Sequence, residues 1–175
     1  MPRNFARRLT IKKLGCVMGE EVIYVDSDKD QVSLFMQFAE KYKSDFDLPQ
    51  MKKFADADAE KVFRWIVKNY REEEGEIIVR PKIYYDLVLK TGQGLDCDDA
   101  TIFWCALLRN VGVPAERILI AEVAEEGSPE DYVHIFCGVD FQGGVVWLDN
   151  LPGSVFGKIN YDPRLMHIAP MSDYL

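Results

Sequence analysis

The chain has 175 residues, 48% hydrophobic and 29% charged, with a formal net charge of −8; this is the length of one domain with a core, and it excludes disorder, collagen-like and low-complexity character. No apolar run approaches the roughly 20 residues of a membrane span, and the basic start MPRNFARRLTIKK lacks the apolar stretch of a secretory signal. The acidic balance argues against nucleic acid as a partner. The expectation is a soluble, cytoplasmic protein of one domain spanning residues 1–175, with no membrane partner.

Residues 1–55 read as an N-terminal helical and β extension. The run Glu21-Val22-Ile23-Tyr24-Val25 is β-rich, and Gln31 to Tyr42 carries Val32, Phe35, Met36, Phe38 and Ala39 at helical spacing. The acids Asp26, Asp28 and Asp30 resemble the opening of a calcium loop. The sixth position is Gln31 and the twelfth Gln37, so a capped helix start fits better. A second helix spans about Asp56 to Arg71, with Asp56 or Asp58 as cap, and Glu72-Glu73-Glu74-Gly75 stops it. After Arg80-Pro81, the stretch Ile83 to Lys90 fits helix and extended chain equally.

The third helix starts at Cys97 and runs to Asn110 or Val111, stopped by Gly112 and Pro114. Ala100, Phe103, Trp104, Leu107 and Leu108 form one apolar face, and Ile102, Cys105 and Ala106 make the other side apolar too. Such a helix belongs inside a domain. Three strands follow: Arg117 to Val123, Tyr132 to Val139 and Val145 to Leu148, the last two joined at Gln142-Gly143-Gly144. Helices first and antiparallel strands afterwards indicate an α+β fold.

Four cysteines, Cys16, Cys97, Cys105 and Cys137, form no CxxC pair. Cys97 differs from the others because it opens a buried helix after Gly92-Gln93-Gly94. The helix N-terminus favours thiolate there, and its free N–H groups can hold an oxyanion. A nucleophilic thiol needs a base, and the base needs an orienting group. His134 is one of two histidines and lies on a strand; His167 reads as incidental. A two-residue hairpin loop at Phe141–Gln142 puts Asp149 opposite His134, and a three-residue loop puts Asn150 there. Either can accept the imidazole N–H. Asp96, Asp98 and Asp99 stabilise the helix start but, as like charges, oppose ionisation of the thiol.

The segments Gly94-Leu95-Asp96-Cys97-Asp98-Asp99-Ala100, Ala106-Leu107-Leu108-Arg109 and Gly112-Val113-Pro114-Ala115 resemble the nucleophile helix of transglutaminase-like proteins. Tyr132-Val133-His134-Ile135 is similar to that family's histidine strand, and Val146-Trp147-Leu148-Asp149 to its aspartate strand. The likeness covers about residues 56–150, with Glu116 inserted before Arg117 and Ile135-Phe136 where an aromatic often follows the histidine. It implies a papain-like α+β fold, a central nucleophile helix on an antiparallel sheet, and a catalytic triad of Cys97, His134 and Asp149. The activity implied is thiol-dependent acyl transfer or hydrolysis at an amide, with no organic cofactor and no metal. Gln93 is a candidate oxyanion donor and Asn150 a reserve orienting residue.

Two other readings use the same residues: a non-catalytic interaction module that keeps the fold, and a metal site built from Asp, Cys and His. Charge suggests the substrate. From Asp96 to Asp131 nine acids face only Arg109 and Arg117, which is −7 of the total −8. An acidic stretch holding the nucleophile, with a Glu125–Asp131 loop leading to His134, suits a protein or peptide that is cationic near the bond attacked.

Overall fold

The computed structural model describes residues 8–11, 21–24, 28–71, 78–92 and 96–175. Two short strands, β1 (Arg8–Ile11) and β2 (Glu21–Tyr24), pair antiparallel. The β-rich run supplies β2. Asp26 and the Glu72–Gly75 stop lie outside the described residues. Five helices follow: α1 (Asp28–Tyr42), α2 (Lys52–Ala55), α3 (Ala59–Asn69), α4 (Pro81–Thr91) and α5 (Cys97–Asn110). Asp58 caps α3 by accepting the Glu60 amide N–H at 2.8 Å. The undecided stretch after Pro81 is helical, with Pro81 in the first turn, where its fixed φ suits a helix and its missing N–H costs nothing. Gly92, at φ 66°, ends α4 in the left-handed conformation that glycine adopts without strain.

Four strands complete the described chain: β3 (Ile118–Glu125), β4 (Ser128–Phe141), β5 (Gly144–Leu148) and β6 (Met166–Pro170). They form one antiparallel sheet in the order β5-β4-β3-β6. Two expectations are corrected. The Glu125–Asp131 segment is no loop but the tip of the β3–β4 hairpin, turning at Glu126-Gly127. The β4–β5 hairpin turns at Gln142-Gly143, one residue later than the Phe141–Gln142 loop, so Phe141 pairs with Gly144 and Cys137 with Leu148. β6 was not foreseen; it carries the exposed His167 opposite Glu122 on β3.

The sheet has two apolar faces. One carries Ile118, Ile120, Ile135, Cys137 and Leu148 and packs with α5 and the other helices. On α5 every residue from Asp98 to Leu107 is buried, as its all-round apolar pattern requires. Phe103 of α5 meets Phe46 at 4.9 Å, Phe54 at 5.2 Å and Tyr84 at 5.2 Å between ring centroids. These rings hold α5 in the helical layer through edge-on and tilted contacts. Buried Asp45, just after α1, accepts from the Arg80 guanidinium and from the Lys82 amide at 3.0 Å, fixing the start of α4. The other sheet face carries Ala121, Val123 and Phe136, packed with Trp147 of β5, Met166 of β6 and, from the segment between them, Ile159 and Tyr161.

Candidate active site

Cys97 is the first residue of α5 and is half-buried. The helix start is pinned on two sides. Asp99 is buried and its Oδ1 accepts the Val79 amide N–H at 2.8 Å. One turn on, the Thr101 hydroxyl lies 2.6 Å from the Cys97 carbonyl and 3.1 Å from the Ile135 carbonyl of β4. One side chain thus ties the turn that carries the thiol to the residue beside His134.

His134 sits at an irregularity. Val123 of β3 pairs with His134, yet the next residue, Ala124, pairs with Tyr132, which leaves Val133 as an extra residue on β4. This is a β-bulge, a device that bends a strand and re-aims its side chains. Val133 is exposed, whereas His134 is only 8% exposed. Beyond Cys137 the edge strand β5 no longer pairs with β4, because its ladder ends at Leu148.

The chain leaving β5 divides its next two side chains between the sheet faces. Asp149 turns toward the histidine, its Oδ1 lying 2.9 Å from His134 Nε2. Asn150 turns toward α5, its Nδ2 donating to the Thr101 hydroxyl at 3.5 Å. Asp149 is therefore the imidazole's carboxylate partner, while the reserve residue Asn150 bonds to the helix. The register makes Leu151 the residue that would lie opposite His134 in a continued ladder; Asp149 reaches the ring because the ladder has stopped.

Asp149 is 5% exposed and richly bonded. Oδ1 also accepts the Leu151 amide at 3.3 Å, and Oδ2 accepts the Ser154 hydroxyl at 2.8 Å and the Tyr161 hydroxyl at 3.3 Å. Burial by itself would push this carboxyl up. The bonds from His134 and Ser154, the His134 charge and the Leu151 amide outweigh it and hold the carboxyl below the ordinary range. The Tyr161 phenol is driven up, first by burial, then by the charge and hydrogen bond of Asp149, and last by the charge of Cys97.

Cys105 and Cys137 are both fully buried free thiols, facing each other between α5 and β4. Burial, together with the hydrogen bond and charge of Cys137, pushes Cys105 well up. Cys16 and Gln93 lie outside the described residues. Among the acids near Cys97, Asp96 takes the N-cap position without a side-chain cap bond. Asp96, Asp98 and Asp99 each bring one oxygen within 4.8 Å of the others; His134 and Cys97 do not join them, and the carboxylates alone specify no ion.

No sequence signal marks Thr101, Ser154 or Tyr161. Thr101 reads as an ordinary helix residue, and the other two lie in an irregular segment with no motif. Among the described residues no helix is long and apolar enough to cross a membrane. No curated protein and no solved structure matches the chain. A family model does, over residues 41–149, from the end of α1 to Asp149 and thus some fifteen residues earlier than the motifs had marked. The nucleophile-type helix, the antiparallel sheet and that match agree: the chain belongs to the transglutaminase-like superfamily.

Proposed function

We propose that the protein is a cysteine acyltransferase or hydrolase acting on amides, with Cys97 as nucleophile, His134 as base and Asp149 as the group that orients the imidazole. The observation that carries this reading is the buried His134–Asp149 pair at 2.9 Å, with Cys97 at the start of α5 in electrostatic reach of Tyr161, whose hydroxyl meets the same carboxylate. Asp149 occupies Nε2, so Nδ1 is the ring nitrogen free to trade a proton. In the first half-reaction the Cys97 S–H proton passes to Nδ1 and the sulfur attacks the amide carbonyl carbon. Collapse of the tetrahedral adduct breaks the C–N bond. The amine leaves with the proton from His134, and a thioester remains on Cys97. Water or a second amine then attacks, His134 takes its proton, and the thioester is cleaved to an acid or a new amide.

Backbone N–H groups at the α5 N-terminus are suited to hold the oxyanion, and Gln93 is proposed to add a donor. The substrate class we propose is a protein or peptide that is cationic near the reacting bond. Asp96 is half-buried and Glu125 and Glu126 are exposed at the hairpin tip that leads to His134. Asp98, Asp99 and Glu122 are buried and add little to the solvated field.

The test is intact-mass detection of a thioester on incubation with peptide amides, with and without a primary amine. An adduct that maps to Cys97, disappears in Cys97→Ser and is released by water or amine supports the reading, and the product distinguishes hydrolysis from transamidation. Turnover that survives Cys97→Ser contradicts it.

A further inference from the structure

The segment after Asp149 lies outside the family match, yet it folds back onto the histidine. The Gly157 amide donates to the Trp147 carbonyl at 2.9 Å, which anchors the returning chain to β5. From that anchor Tyr161 stacks its ring on Phe136 at 5.5 Å, with 25° between the planes, and tilts it against His134 at 5.8 Å. Its hydroxyl and that of Ser154 both end on Oδ2 of Asp149, the oxygen that His134 does not use.

We infer that Ser154 and Tyr161 are positioning residues: their two hydroxyls occupy Oδ2 so that the Asp149 carboxylate stays ionised with Oδ1 turned to His134. The inference rests on the triad reading for its purpose but on the Asp149 contacts for its geometry. A carboxylate bonded through one oxygen can rotate about its χ2 torsion, and this torsion is soft. Two donors on the second oxygen, with the Leu151 amide on the first, define one orientation. They also stabilise the charged form, which burial opposes. The titratable groups facing Asp149 among the described residues are His134 from β4 and Tyr161 from the returning segment, with Cys97 of α5 in electrostatic reach of the phenol. Among the described residues no cationic side chain other than His134 acts on Asp149, so beside the imidazole the neutral donors on the carboxylate are what offset its burial.

The experiment follows the Asp149 carboxyl carbon by NMR against pH in the full chain labelled at aspartate, alongside the rate of Cys97 alkylation by iodoacetamide. Tyr161→Phe keeps the ring stack and removes one donor, Ser154→Ala removes the other, and Ser154→Thr restores a hydroxyl. Each loss is expected to raise the proton affinity of Asp149 by about threefold to tenfold, the double variant most, with Ser154→Thr close to the parent. The alkylation rate at Cys97 should lose its low-pH portion in the same order. A double variant that is folded but titrates at Asp149 like the parent overturns the inference, since a merely structural role would lower Tm without moving that midpoint. If the midpoint moves but alkylation of Cys97 ignores Asp149→Asn, the triad reading fails while the role of the two hydroxyls at Asp149 stands.

Discussion

Three described thiols occupy three different environments, and their chemistry should differ accordingly. Cys97 opens a helix and is half-buried, while Cys105 and Cys137 are sealed between α5 and β4. Only thiolates react, and the sealed pair has no solvent access, with burial also pushing the Cys105 thiol well up. In the native protein, peptide mapping should find Cys97 alkylated while Cys105 and Cys137 stay untouched; equal labelling of all three would contradict the assignment. Asp149 gives a second prediction. Its folded carboxyl is held below the unfolded value of about 3.9, so its contribution to stability is present above that pH and lost as pH falls through the lower folded value. Urea midpoints for the parent and Asp149→Asn should therefore differ most near neutrality and converge toward pH 2. A difference that stays constant over that range would contradict the shift. The sequence made Cys97, His134 and Asp149 visible as residue types in a family order. It could not show Ser154 or Tyr161, since a hydroxyl in an irregular segment has no periodicity and acquires its role only when the chain folds back.

Elements were legible in proportion to how much their pattern demanded burial. The helix α5 is apolar on all sides and bounded by Gly112 and Pro114, and the expected start at Cys97 is the observed one. β3, β4 and β5 were placed to within a few residues. β6 is short and partly exposed, and α4 mixes β-branched with helix-favouring residues, so neither had a clear period. Register was the weaker inference. The hairpin turns one residue later than the loop that would set Asp149 opposite His134, and the pair forms only because β5 parts from β4 at Leu148. The β-bulge at Val133 is equally silent in sequence. Thr101 joins these elements: its hydroxyl meets the Cys97 and Ile135 carbonyls and receives Asn150. Thr101→Val keeps the shape and deletes the hydroxyl, leaving buried polar groups unpaired, and should cost about 1–3 kcal/mol in denaturant unfolding. An unchanged midpoint would show that the junction does not depend on it.

At the scale of the molecule, charge and fold act on the same end of the sheet. The β3–β4 hairpin tip, with exposed Glu125 and Glu126, leads within a few residues to His134. One-signed charge near a cleft raises the encounter rate of opposite charge and does so less as salt rises. A lysine-rich peptide should bind several-fold more weakly at high than at low ionic strength, and Glu125→Gln with Glu126→Gln should flatten that dependence. Affinity indifferent to salt would remove the cationic substrate. The central claim is that Cys97 and His134 act as one unit, and the pH dependence of Cys97 alkylation in the parent and in His134→Ala tests it most directly. The account predicts that the parent retains a reactive thiolate below neutrality, where the imidazolium pairs with it, and that His134→Ala shifts the curve toward the ordinary thiol value of about 8.5. Superimposable curves for the two proteins would contradict it.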